Sequence, residues 1–172
     1  IEAVVGNGSV CGLKVDYSED GETLLGTGGA IAKALPLLGP AFFVLYGDSF
    51  LPVSFAEVES QWHQTKKPAL MAVFRNEGQW DTSNVFFENP MVIEYNKHEP
   101  RPEMSFIDYG LAVLSSEAFA GYRDSTPFDL ADLYHDLSLA GKLAGIEVFE
   151  RFYEIGSHQG LAQAEAYFNR TD

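Results

Sequence analysis

The chain has 172 residues, 46% of them hydrophobic, with 25 Asp and Glu against 11 Lys and Arg, a formal charge of −14. That apolar content excludes a disordered chain and is enough for one packed core, so residues 1–172 are expected to form one domain or one piece of a domain. The acidic balance excludes sequence-independent binding to nucleic acid or to an anionic membrane, and a phosphate ligand would need a metal or local donors.

Ile1 to Val5 closes in a Gly6-Asn7-Gly8 turn, Leu13 to Tyr17 alternates like a strand, and Ser18-Glu19-Asp20-Gly21 has turn chemistry. Glu22, just ahead of a Gly-rich turn, is a solvated loop acid or a contact for sugar hydroxyls. Leu24 to Leu51 then reads LLGTGGAIAKALPLLGPAFFVLYGDSFL and organises the chain. Gly26, Gly28 and Gly29 open a helix carrying Ala30, Ile31, Ala34, Leu35 and Leu38 at helical spacing. Their bare amides suit a flat base edge or an anion, or the glycines simply serve a tight loop-to-helix turn. Phe42 to Tyr46 is a continuous apolar run, the pattern of a parallel strand buried on both faces, and it delivers Asp48 at its carboxyl end. Ligands of open α/β sheets gather at such ends, which makes Asp48 the first functional candidate.

Ser54 to Glu57 has capping-box spacing and starts a helix running to about Gln64, after which Ala69 to Phe74 is another apolar strand. Val85-Phe86-Phe87 and Met91 to Tyr95 form a hairpin around Glu88-Asn89-Pro90, and Phe106 to Leu114 is a long strand. A short helix begins at Ser115-Ser116-Glu117, and a longer one from Pro127 to about Lys142 buries Leu130, Leu133, Tyr134 and Leu137. Gly145 to Phe149 and Arg151 to Ile155 are strands, and a helix from His158 to about Asn169 follows. The alternation of buried strands with amphipathic helices predicts an α/β fold: a mixed, mainly parallel sheet, helices on both faces, and the hairpin to one side.

Several features carry no chemistry. Cys11 is the one cysteine, so no intramolecular disulfide can form and a reducing, cytoplasmic setting is expected. His63, His98, His135 and His158 lack metal-ligand spacing, and Ser115-Ser116 lacks a nucleophile elbow. The longest apolar stretch, around Leu35 to Tyr46, is broken by Pro36, Gly39 and Pro40 and is too short for a bilayer, so no membrane partner is expected.

The segments LLGTGGAIAKAL, FFVLYGDSFL, VIEYNK, FIDYGLAVLSSEAF and RFYEIGSHQGLAQAEAYF, in that order, resemble successive motifs of the sugar-1-phosphate nucleotidyltransferases, also called sugar-nucleotide pyrophosphorylases. The IDYGL and EYNK forms look closest to the small bacterial enzymes that activate heptose or hexose 1-phosphates. The resemblance implies a Rossmann-like nucleotidyltransferase fold. It also implies that a sugar 1-phosphate attacks the α-phosphorus of a nucleoside triphosphate, with Mg²⁺ as cofactor. Residue by residue, it places Asp48 and Glu154 on the metal, Asp48 and Lys97 in the catalytic machinery, and Gly28 and Gly29 against the nucleobase. Glu94, Asp108, Tyr109 and Gly110 border the sugar.

Two positions depart from the family pattern. Glu154 and Ser157 stand where it usually has Asp and Thr, and nothing before Leu24 matches its Gly-rich, Arg-bearing triphosphate loop. The chain is therefore expected to be an amino-terminally truncated, carboxyl-terminal portion, inactive by itself, with a sheet edge that a homo-oligomer or another partner covers. A non-catalytic, sugar-nucleotide-binding regulatory subunit is the alternative. A nucleotide-sugar glycosyltransferase is weaker, since Asp48 has no Asp-x-Asp partner.

Overall fold

The computed structural model of the chain describes residues 1–80, 82–122 and 127–169. Its helices are α1 (Glu2–Val5), α2 (Gly26–Ala34), α3 (Phe55–Thr65), α4 (Leu130–Leu139) and α5 (His158–Phe168). The strands are β1 (Ala41–Leu45), β2 (Ser49–Phe50), β3 (Ala69–Arg75), β4 (Val85–Glu88), β5 (Met91–Tyr95), β6 (Phe106–Ser115), β7 (Leu143–Val148) and β8 (Tyr153–Glu154). Six of them form one sheet in the order β1-β6-β3-β7-β5-β4, and β2 pairs with β8 in a separate ribbon.

The expected mixed α/β sheet is present, but its hydrogen-bonded neighbours are mainly antiparallel rather than parallel. Among the described residues, only β3 and β7 pair in parallel. Strands β1, β3, β4 and β7 do run in one direction; β6 lies reversed between β1 and β3, so both of their ladders with it are antiparallel. An uninterrupted apolar run does not report the direction of its neighbour, and in β1 it marks a half-buried edge strand in place of the expected parallel strand buried on both faces.

Period-two alternation sorts the sheet residues onto two faces. Ala69, Met71 and Val73 of β3 pack with Ala32 of α2 and with Leu130, Leu133 and Leu137 of α4. Leu70 and Ala72 face the other way, toward Val58 of α3. Helices thus cover both faces. Local chemistry fixes their starts: Ser54 accepts a hydrogen bond from Glu57 N–H, and Asp129 and Asp132 form a reciprocal capping box on α4. The β4–β5 hairpin lies at the far end of the sheet, and β1 stands at the opposite end.

Leu13 to Tyr17 is a second correction. This segment belongs to no strand, and Leu13 is 65% exposed. Its alternation pairs Lys14 with Asp16 in solvent and sends Tyr17 Oη to Gly6 O, with no sheet edge beside it to complete a ladder. No helix among the described residues is long and apolar enough to cross a membrane.

Candidate functional site

A cleft of about 600 Å³ opens beyond the carboxyl ends of β1, β3 and β7, where open α/β sheets collect ligands. Its first wall is the β2–β8 ribbon. Ser49 is in register with Glu154, and Ile155 N–H donates to Asp48 O at 3.0 Å, so residues far apart in sequence share one turn of structure. Asp48 Oδ2 lies 3.5 Å from where a Cβ on Gly156 would sit. Both carboxylates are exposed, and neither has an ion-pair partner among the described residues. Against the expectation of sheet-strand ends, both acids lie at a ribbon outside the sheet, where Asp48 stands opposite Ile155 and Glu154 opposite Ser49, and of the two Glu154 lines the cleft. Among the described residues, no three His, Cys, Asp or Glu side chains form a self-sufficient metal site.

The second wall carries Asp108, Lys97, Tyr46 and Tyr95. In β6 the register with β3 slips between the pairs Met71–Ala112 and Val73–Asp108, a bulge centred on Gly110, whose φ of +85° suits glycine. The bulge fixes Asp108 against its own turn: Gly110 N–H donates to Asp108 Oδ1 at 2.8 Å, and Asn84 Oδ1 receives Asp108 N–H at 3.2 Å. Burial pushes the Asp108 carboxyl up from 3.8 to about 6, against the Gly110 hydrogen bond and the Lys97 charge, which both pull it down. Burial, with the nearby Asp108, Asp129 and Asp48 charges, raises the Tyr46 hydroxyl to about 12, so it stays a neutral donor.

The Asp108 shift has a testable sign. Between 3.8 and about 6 the unfolded chain gives up a proton that the folded chain keeps, so this group's contribution to stability falls as pH rises through that window. Asp108→Asn is expected to remove that decline, and a carboxyl ¹³C titration should place the Asp108 midpoint near 6, higher still in Lys97→Met. An ordinary carboxylate midpoint would contradict the burial described here.

Other residues named from the sequence fall elsewhere. Gly28 and Gly29 are buried away from the cleft, and both N–H groups donate to Phe128 O, at 3.1 and 3.3 Å. A Cβ on Gly28 would sit 2.1 Å from the Phe128 ring, so these glycines serve close packing between α2 and the entry to α4. Glu94 does not line the cleft either; it pairs with Arg101 and receives Asn96 Nδ2–H at 3.3 Å. Tyr109 does line it, with its ring only 2% exposed.

Sequence reasoning missed a third wall made by Trp80, Arg151 and Gln163. These residues come from a loop, the approach to β8 and the outward run of α5, and no shared motif links them. An aromatic beside an unpaired arginine in RFYEIGS was the one available signal.

No family model matches the sequence. Solved structures do match the fold. A Bacillus anthracis protein described as a glucose-1-phosphate thymidylyltransferase aligns over 96% of this chain and 70% of its own, at TM-score 0.76 and 16% identity. HddC from Yersinia pseudotuberculosis aligns over 86% of this chain and 64% of its own, at TM-score 0.67 and 18% identity. UDP-glucose pyrophosphorylase from Acinetobacter baumanii covers 86% of this chain and 57% of its own, at TM-score 0.68 and 16% identity. The chain thus spans between 57% and 70% of the length of these proteins and has the fold of sugar-1-phosphate nucleotidyltransferases.

Proposed function

Starting from that shared fold, we propose that the protein takes part in transferring a nucleotidyl group from a nucleoside triphosphate to a sugar 1-phosphate. A phosphate oxygen of the sugar 1-phosphate forms a bond to the α-phosphorus, the bond from that phosphorus to the β-phosphate bridge breaks, and pyrophosphate leaves with the electron pair. The observation that supports this reading is the β2–β8 ribbon, on which Asp48 O accepts Ile155 N–H next to the Ser49–Glu154 pair, with Glu154 lining a cleft that also holds Lys97 and Asp108.

The donor set fits Mg²⁺. Two free carboxylates and no nitrogen or sulfur ligand suit an ion that is usually held by one or two acids plus substrate oxygens and water. Asp48 and Glu154 would hold it, and when bound it supplies charge neutralisation at the phosphates. Lys97 adds a mobile positive charge for phosphate oxygens, and Asp108 is placed to accept a hydrogen bond from a sugar hydroxyl. Tyr46 and Tyr95 stay protonated, so each hydroxyl keeps a proton to donate.

Binding of the sugar 1-phosphate reads this assignment directly. Titration with α-D-glucose 1-phosphate and other hexose or heptose 1-phosphates is expected to shift the NMR signals of Asp108 and Lys97 saturably. Lys97→Met should weaken that binding about tenfold, the loss of one charge-assisted contact. If no sugar 1-phosphate moves either signal, the functional assignment is wrong.

A further inference from the structure

Arg151 is half-buried in the cleft. Its Cζ lies 4.2 Å from the Trp80 ring centroid and 4.5 Å from that of Tyr153, so two aromatic rings hold the guanidinium. In its plane, Nε–H donates to Phe152 O at 3.1 Å and an Nη2–H to Gln163 Oε1 at 2.9 Å. Those bonds spend two of the five N–H donors of an arginine. No acid among the described residues pairs with it, in a chain of formal charge −14.

The surroundings are equally fixed. Asn76, 1% exposed, accepts Trp80 N–H on Oδ1 at 3.0 Å and sends Nδ2–H to Ser83 Oγ at 2.9 Å, which sets the indole where Arg151 stacks on it. The intervening loop bends through Glu77 and Gly78, at φ 48° and 71°. A ring contact at 6.1 Å joins Trp80 to Phe152, and another at 5.8 Å joins Phe152 to Tyr109. Tyr109 closes this chain of rings inside the core, its Oη buried with no hydrogen-bond partner among the described residues.

We propose that Arg151 forms an anion-recognising subsite in the cleft, beside Lys97, that takes the phosphoryl oxygens of a sugar phosphate. An arginine whose planar fork is held in advance loses little freedom on binding and matches phosphate bidentately. The sugar part of the ligand rests on the proposed function; the anion part does not. The phosphate could be the 1-phosphate itself or a second phosphate on the same sugar.

The two tryptophans make the test simple, since Trp62→Phe leaves Trp80 as the sole indole. Inorganic phosphate, α-D-glucose 1-phosphate and α-D-glucose 1,6-bisphosphate should each change Trp80 fluorescence saturably, and glucose should not. Arg151→Gln in that background should weaken each phosphate response at least about tenfold, with Arg151→Lys in between. A bisphosphate advantage that vanishes in Arg151→Gln identifies the second phosphate as the source; equal losses identify the 1-phosphate. An unchanged phosphate affinity in folded Arg151→Gln overturns the proposal. Should that variant fail to fold, the Arg151 Nε–H resonance of the wild-type protein decides: it must shift with inorganic phosphate, and a static resonance overturns the subsite. Phosphate binding at Arg151 without any sugar 1-phosphate binding at Lys97 would leave the subsite standing and sink only the functional assignment.

Discussion

Asp48→Asn is expected to weaken Mn²⁺ binding, used as the visible stand-in for Mg²⁺, by about 100-fold while leaving the melting temperature nearly unchanged. The substitution keeps the shape of the side chain and removes its charge. Asp48 is exposed in the turn between β1 and β2, so little packing depends on it, and surface changes of that kind usually cost within about 0.5 kcal/mol. The loss at the metal is larger because Glu154 is then the one carboxylate left of the two proposed to hold the ion. In any form of the protein that turns over, pyrophosphate release should fall by orders of magnitude with it. Water-proton relaxation during a Mn²⁺ titration gives the answer directly; equal affinities in the two proteins would remove Asp48 from the metal site. Glu154→Asp should be the milder change, since it keeps the charge and shortens the reach by one methylene.

Gly160→Ala should be the most damaging single-methyl addition to the fold near the site. Gly160 lies in the first turn of α5, where its N–H donates to Ser157 Oγ at 2.9 Å. A Cβ there would lie 2.3 Å from Glu154 O, a rigid backbone atom that cannot step aside as a side-chain tip can. The helix must therefore lift off β8. Lifting strains the Arg151–Gln163 hydrogen bond and the packing of Phe50 against Tyr167 and Phe168. Overpacking of this kind costs about 1–3 kcal/mol, a fall of roughly 2–12 °C in melting temperature for a domain of this size. Mn²⁺ affinity should drop alongside, because Glu154 moves with the strand. A melting temperature within a degree of wild type would mean that α5 does not rest on β8 as described.

These cases also show what the sequence could and could not reveal. The β3 run is legible because all of Ala69 to Val73 is buried and apolar, and the acid after Phe42 to Tyr46 is legible because strand ends are where an open sheet binds. Strand direction was not legible, since β6 enters between β1 and β3 only in three dimensions. Leu13 to Tyr17 shows the limit of alternation: a two-residue period makes a strand only where an edge accepts it. Gly28 and Gly29 suit open amides or a tight loop-to-helix turn, and the structure has the second: the Phe128 carbonyl, a hundred residues away, takes both N–H groups. A ligand could reach them only if Phe128 withdrew. Trp80, Arg151 and Gln163 were invisible because loop side chains converge through tertiary structure and leave no periodicity behind.

The two-residue β2–β8 ribbon has a consequence for the order of events in folding. It closes a very long loop with few hydrogen bonds of its own, so the entropy of closure must be met first by the sheet, through β3, β6 and β7. Asp48 and Glu154 therefore meet late, after the rate-limiting barrier has been crossed. Contacts absent from the transition state act on the unfolding limb alone. A divalent ion bound between those two acids would leave the folding rate almost untouched and slow the escape from the native state, so that the site, once loaded, serves as a kinetic latch on the whole chain.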